Sequence, residues 1–210
     1  GRPLIFIGGL TAGVGLMMPT GGRQVFLGAN PYAVGIPAEG SPPMLFDGST
    51  STIAGGKIRV ARDKGSQLPP DCILDRDGNP TTDPEDYFAG GTIIPLGGSV
   101  AGHKGSGLSL ASALLGALGM IGDPDPTLVR ANVDEKVADS RGRVGGVLIL
   151  IIDPGAFGGR DQYRAMVGKS LSAAKRVPPR DGVAKVLVPG EVEIDNRRQR
   201  SRDGISLPEA

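Results

Sequence analysis

Between Pro95 and Gly107 the sequence reads Pro-Leu-Gly-Gly-Ser-Val-Ala-Gly-His-Lys-Gly-Ser-Gly, and an apolar segment from Leu108 to Leu118 follows at once. Glycine alone takes positive φ without steric cost, so this density of glycine lets the backbone turn tightly and come close to something. Leu108, Ala111, Leu114, Leu115 and Leu118 recur at helical spacing on one face. Lys104 and its glycines are therefore expected at or just before a helix N-terminus, where unspent N–H groups and the positive dipole end attract an anion. The lysine adds a point charge suited to a phosphate or a carboxylate. The competing reading is a tight turn with a solvated lysine.

Other groups invite chemistry less strongly. His103 is the only histidine. Histidine is the natural proton shuttle near neutral pH, but no carboxylate stands at local spacing and the adjacent cation opposes its protonation. Asp47-Gly48-Ser49-Thr50-Ser51 sets a carboxylate at the end of one apolar run and hydroxyls at the start of an amphipathic one. A helix cap with an aspartate assisting the dipole accounts for that pattern. Asp75, Asp77 and Asp83 lack the glycine and ligand spacing of an EF-hand and read as a solvated turn, so no metal site is expected. Arg197, Arg198, Arg200 and Arg202 have no aromatic residue among them to stack on bases, which favours a solvated face.

The elements that must position these groups are short. Leu4–Ile7, Val25–Leu27, Tyr32–Ile36, Met44–Phe46, Val147–Ile152 and Val183–Val188 read as strands, the Val147 run as a central one. Ile53, Ala54, Ile58 and Ala61 mark a helix that Ser49, Thr50 or Ser51 would cap. Tyr163, Met166, Val167, Leu171 and Ala174 mark another over Asp161–Arg176. Residues 67–84 read as loop, with a turn at Asp77-Gly78-Asn79-Pro80. Residues 127–144 read as a surface excursion, and the chain after Glu191 as a charged tail. Strands and helices are mixed without the regular alternation of a doubly wound sheet. Neither Gly-x-Gly-x-x-Gly nor a Walker loop occurs; upstream of Gly168-Lys169-Ser170, Tyr163 stands where such a loop has its first glycine.

Composition narrows the classes. The chain has 210 residues, 35 glycines, 18 prolines and 39% hydrophobic residues, which suits a loop-rich globule. With 23 basic and 22 acidic residues there is no bulk charge to draw nucleic acid or an anionic membrane. A single cysteine, Cys72, excludes an internal disulfide and a cysteine-based zinc site and suits a reducing compartment. The apolar start at Leu4, without polar lead-in, leads us to expect part of a longer chain.

Five motifs stand in order: Leu27-Gly28-Ala29-Asn30-Pro31; Phe46-Asp47-Gly48-Ser49-Thr50-Ser51; Asp75-Arg76-Asp77-Gly78-Asn79-Pro80-Thr81-Thr82-Asp83-Pro84; Pro95-Leu96-Gly97-Gly98 with Lys104-Gly105-Ser106-Gly107-Leu108; and Pro189-Gly190-Glu191. Together they resemble the malate/L-lactate dehydrogenase-like family of non-Rossmann NAD(P)-dependent 2-hydroxy-acid oxidoreductases, over nearly the whole chain. The resemblance implies a mixed α/β fold, with a mainly antiparallel sheet and flanking helices forming a non-Rossmann nicotinamide-binding domain. It implies a cofactor-binding domain over 1–178 and a segment, 179–210, returning to a second domain mostly absent here. It further implies NAD or NADP as cofactor, hydride transfer to or from a small 2-hydroxy or 2-oxo acid, a homodimer and a cytoplasmic location, without nucleic acid or membrane partners. Asp47, Gly48 and Ser49 match the stretch lining the nicotinamide, Lys104 the cofactor-contacting lysine, and Gly190 and Glu191 a C-terminal contact. The family's proton-transferring histidine lies upstream of anything present here, so no catalytic residue is expected in this chain, and His103 is not that histidine. The chain departs from the family at Gly13, where a polar cofactor contact is usual, at Asp47-Gly48-Ser49 in place of Asp-Met-Ala, and at Ala29 in place of Thr. A non-catalytic nicotinamide-binding or dimerising module is the alternative.

Overall fold

The computed structural model describes residues 4–8, the first of these segments as backbone only, together with 16–116, 118 and 147–205. Gly13 and the polar stretch 127–144 lie outside the described residues. The fold is mixed α/β. In chain order the elements are β1 (Leu4–Gly8), β2 (Tyr32–Ile36), β3 (Met44–Gly48), α1 (Gly55–Asp63), β4 (Ile73–Leu74), β5 (Pro80–Thr81), α2 (Pro84–Phe88), β6 (Thr92–Ile93), α3 (Gly98–Gly116), β7 (Val147–Ile151), α4 (Arg160–Lys175) and α5 (Glu191–Asp203), with a 3-10 turn at Pro154–Phe157 before α4. One sheet has the order β3-β2-β1-β7 and the other β5-β4-β6. The second is antiparallel, Ile73 facing Thr81 and Ile93, and Leu74 facing Pro80 and Thr92.

The chain forms two compact units, one of residues 1–5, 33–47 and 150–210, the other of 6–32 and 48–149. They are called here the α4 unit and the α3 unit. In the α3 unit, Ile73 and Ile93 join Ile53, Ile58, Leu68 and Cys72 in one buried cluster, while their neighbours Leu74 and Ile94 join Met18 in another. Successive strand residues point to opposite faces, so two-residue strands suffice to set a cluster on each side of the small sheet. The acidic loop builds its hairpin: Asp75 Oδ1 accepts from the N–H groups of Asp77 and Asn79 at 2.9 and 2.8 Å, and Gly78 takes φ +90°. Asp83 then caps α2, accepting from Glu85 N–H at 2.9 Å, with Pro84 in the first helical position, where a missing N–H costs nothing. Among the described residues no group of acidic, histidine or cysteine side chains is arranged to hold a metal ion.

In the α4 unit, Glu39 N–H donates to Arg164 O at 3.1 Å and lays the chain after β2 across α4. Gly168 lies under that crossing, where a Cβ would run into the Glu39 carbonyl. The Leu45 N–H of β3 donates to Pro189 O at 3.1 Å.

Several expectations from the sequence are corrected here. The helix marked by Ile53, Ala54, Ile58 and Ala61 is α1 (Gly55–Asp63), but its cap is Ala54, without a side-chain bond, because the Ser51 hydroxyl donates instead to Ile53 O at 2.8 Å. Among the described strands the Val147 run stands at the end of its sheet, and Val147, Ile149 and Ile151 are 59%, 56% and 59% exposed. A continuous apolar run resembles a strand covered on both faces, but its spacing carries no information about what covers it. Val183–Val188 forms no strand, and Leu27 pairs with Met17 only as an isolated bridge. The charged stretch after Gly190 is the helix α5.

Candidate functional site

The turn into α3 is made by Gly97 and Gly98, with φ of +103° and +63°. A Cβ on Gly98 would occupy the place of the Asp71 carboxylate. Both oxygens of that carboxylate lie 3.0 Å from the Ser99 N–H, which donates to them, and Asp71 itself takes φ +61° to reach it. The expected anion at this helix start is therefore supplied by the chain itself, where it offsets the positive dipole end. Gly97 precedes the helix, and Gly98, Gly102 and Gly105 lie in its first turns, at the N-terminus where the sequence predicts them.

Those turns break at Ala101, with φ −131° and ψ 18°. A new run begins there, and Lys104 stands in its first turn. Gly105 N–H leaves the helical ladder and donates to Leu96 O at 3.1 Å, so close that a Cβ at Gly105 would strike the Leu96 backbone. The Ser106 hydroxyl takes the Thr20 N–H at 2.9 Å. Further along, Asn30 Nδ2 donates to Ser109 O at 2.8 Å and Ser109 Oγ to Gly28 O at 2.9 Å. The Leu-Gly-Ala-Asn-Pro motif thus clamps the small-residue face of α3. The Lys104 and His103 side chains are exposed. Neither forms an ion pair with a described residue.

Ser49 is brought to the same place by backbone pairing. Leu96 N–H donates to Thr50 O at 2.9 Å and Thr52 N–H to Ile94 O at 3.0 Å, with Ser51 opposite Pro95. Ser49 Oγ lies 2.8 Å from Ser51 Oγ. Leu96 is thus bonded to Thr50 on one side and to Gly105 on the other, joining the Gly48-Ser49 stretch to the turn that carries Lys104. Thr50 Oγ1 is buried and has no hydrogen-bond partner among the described residues.

The remaining candidates lie in the α4 unit. Asp47 is exposed at the end of β3. Gly190, at φ +89°, starts α5 beside Leu45, two residues before Asp47. The Glu191 carboxylate is 12% exposed and receives Lys175 Nζ and Lys185 Nζ at 3.0 Å each, with Val188 N–H 3.4 Å from its other oxygen. Those two lysines hold its carboxyl down to about 2 from the ordinary 4.5. A depressed acid stabilises the fold fully above its unfolded value, and that contribution is lost as pH falls toward 2. A carbon-detected NMR titration of Glu191 is expected to show its midpoint near 2, and a midpoint above 4 would mean that the lysines do not hold it. Beside it opens a cavity of about 440 Å³, lined in part by Pro42, Leu171, Lys175, Ile194 and Arg198. That cavity lies in the α4 unit, not around Lys104.

The six candidates thus form two sets: Gly48, Ser49 and Lys104 in the α3 unit, and Asp47, Gly190 and Glu191 in the α4 unit. Sequence spacing missed Asp71, which caps α3 from 28 residues upstream, and missed the lysines around Glu191. No local pattern marks either arrangement. A nicotinamide dinucleotide carries phosphates and polar edges, and the α3 unit offers it an exposed cation and a buried hydroxyl, neither with a partner among the described residues. Those residues fit such a group.

The family model for malate/L-lactate dehydrogenase matches residues 4–210. The L-sulfolactate dehydrogenase of Methanocaldococcus jannaschii is 36% identical over 193 residues, which are 91% of this chain and 52% of that protein. A ureidoglycolate dehydrogenase (NAD(+)) of Escherichia coli K12 is 30% identical over 192 residues, 91% of this chain and 52% of that one. The solved sulfolactate dehydrogenase of M. jannaschii superposes with a TM-score of 0.80 at 32% identity, covering 99% of this chain and 56% of its own. The chain spans about half the length of the curated relatives it matches.

Proposed function

Because the chain belongs to the malate/L-lactate dehydrogenase family, we propose that it is the nicotinamide-holding part of an NAD(P)-dependent oxidoreductase acting on a small 2-hydroxy or 2-oxo acid. The observation that carries this reading is Lys104, exposed and without an ion-pair partner among the described residues, in the first turn after the break in α3 and fixed next to the Gly48-Ser49 stretch through Leu96. When bound, NAD or NADP supplies the hydride acceptor or donor. Lys104 holds an anionic part of the cofactor as a point charge, and Ser49 and the adjoining backbone orient its polar edge. Asp47, Gly190 and Glu191 belong to the α4 unit; because the Glu191 carboxylate is spent on two lysines, its part there is to fix the Pro189-Gly190 turn. A hydride leaving a carbinol carbon needs a base within hydrogen-bond reach of the hydroxyl proton. His103 is exposed and no described carboxylate orients it, so we do not assign it that role. We assign two copies to the working protein and, from its one buried, free cysteine, a reducing compartment such as the cytoplasm.

The experiment is a fluorescence titration of NADH, and in parallel NADPH, into the chain. Lys104→Ala is expected to weaken binding by about 1–3 kcal/mol, roughly five- to 150-fold, the scale of one charge-assisted hydrogen bond. An affinity that the variant leaves unchanged rejects the site.

A further inference from the structure

The stretch that carries Lys104 has little apolar burial to hold it in place. Ser99, Val100, His103 and Lys104 are all exposed, Val100 at 89%. Its backbone bonds stay local: Gly98 N–H donates to Pro95 O at 3.0 Å and Ala101 N–H to Gly97 O at 2.9 Å. Among the described residues, a single group ties residues 98–104 by hydrogen bonds to the chain beyond α3 and the turn before it. That group is the Ser99 N–H, and its acceptor is the Asp71 carboxylate. Asp71 in turn stands on the packed core. It lies between Leu68 and Cys72, both buried, and two residues before the fully buried Ile73 of β4. The Cys72 carbonyl accepts from Ile94 N–H at 2.9 Å and from Thr52 Oγ1 at 3.1 Å, which fixes that backbone further. Asp71 is also the one non-glycine among the described residues with positive φ, +61°. Glycine takes that conformation freely, whereas an aspartate adopts it against its own Cβ. What the aspartate adds in return is the carboxylate on Ser99.

We propose that Asp71 is a positioning residue for the cofactor: through Ser99 and the first turn of α3 it sets where Lys104 stands. The proposal rests on the nicotinamide reading of Lys104 given above. The lever is short, since five residues separate Ser99 from Lys104, roughly 7–8 Å along a helix axis at 1.5 Å per residue. The break at Ala101 lies between them, and an untied first turn would swing there. Leu96 fixes the stretch at its two ends, by its own N–H on Thr50 O and by accepting from Gly105 N–H. Asp71 fixes it between those ends. A lysine on a loose turn samples many placements, and a ligand that binds it must first order the turn, which subtracts from affinity. A turn already held by the core spares the ligand that cost. A carboxylate that only capped the helix would make the same contact, but its removal would not be felt through the lysine.

The test is a double-mutant cycle on the whole chain, read by fluorescence titration of NADH. Asp71→Gly suits the backbone at φ +61° and removes the tie. It is expected to weaken NADH binding about three- to tenfold, the range of one hydrogen bond. In a Lys104→Ala background the same substitution should change affinity by less than about twofold, because a residue that acts through the lysine has nothing left to place. Asp71→Asn tolerates positive φ and still accepts from Ser99 N–H through Oδ1, so it should bind NADH within about twofold of wild type. That variant keeps the test decisive if Asp71→Gly melts early. Three results overturn the proposal: Asp71→Gly binding as tightly as wild type, its loss persisting undiminished without Lys104, or Asp71→Asn binding as weakly as Asp71→Gly. Each of them leaves the nicotinamide site standing so long as Lys104→Ala alone weakens binding. If Lys104→Ala has no effect, the site is rejected and the role of Asp71 with it.

Discussion

Gly105→Ala should cost the chain about 1–3 kcal/mol of unfolding free energy, although alanine is the better helix former. The propensity gain is about 1 kcal/mol. Against it stand the Leu96 backbone, into which the new methyl would project, and the Gly105 N–H bond to Leu96 O, which that methyl would lengthen. Overpacking against backbone costs about 1–3 kcal/mol, and a lost backbone hydrogen bond about 1 more. The loss wins because neither wall can rotate away, as a side chain would. Gly56→Ala in α1 is the control: nothing lies within 4 Å of its Cβ position, so the variant should be neutral or up to about 1 kcal/mol more stable. Urea unfolding of the two proteins reads the difference directly. Equal midpoints would show that Leu96 is not fixed and that the Ser49–Lys104 juxtaposition is loose. If Leu96 is fixed, the same substitution also weakens NADH binding, because Leu96 is bonded to Thr50.

Ile73→Ala carries the other large effect, about 2–5 kcal/mol, the range for truncating a fully buried isoleucine. Ile73 is 0% exposed, on the middle strand of β5-β4-β6, and the cavity it leaves is lined by Ile53, Ile58, Leu68 and Ile93 on different elements, which cannot collapse together. Against a typical domain stability of about 5–15 kcal/mol, that is a large share. Ile149→Ala, in the more conspicuous apolar run, should change stability by no more than about 0.5 kcal/mol, as an exposed substitution does. Thermal melts of both variants check the contrast. Comparable losses would mean that β7 is covered in solution.

The same contrast marks what the sequence could reveal. Helices α1 and α4 were legible because their apolar residues recur at helical spacing and each buries part of that stripe, Ile58 in α1 and Val167 in α4. Helix α5 was not, since Glu191–Asp203 buries nothing and so has no apolar period to read. Strands β4, β5 and β6 are two residues long, too short for an alternation to appear. In α3 the leucine spacing marks the helix, but the packed face is the other one, because glycine and serine pack close to backbone and leave no hydrophobic signal. At the candidate site, Lys104 and Ser49 were visible as types and motifs. Their coupling through Leu96, and the Asp71 carboxylate that fills the helix start, depend on pairings made across the fold.

Every buried hydrophobic side chain among the described residues belongs to the α3 unit except Val167. The α4 unit is tied instead by Glu191 with its lysines and by Arg160 on Asp153 at 2.7 Å. Hydration of apolar area gives unfolding its heat capacity, and apolar burial weakens on cooling, while ion pairs answer to salt. The two units are therefore expected to respond differently: chilling should weaken the packing of the one that carries Lys104, and added salt the ion pairs of the one that carries Glu191, the latter by little because their cationic partners are half exposed.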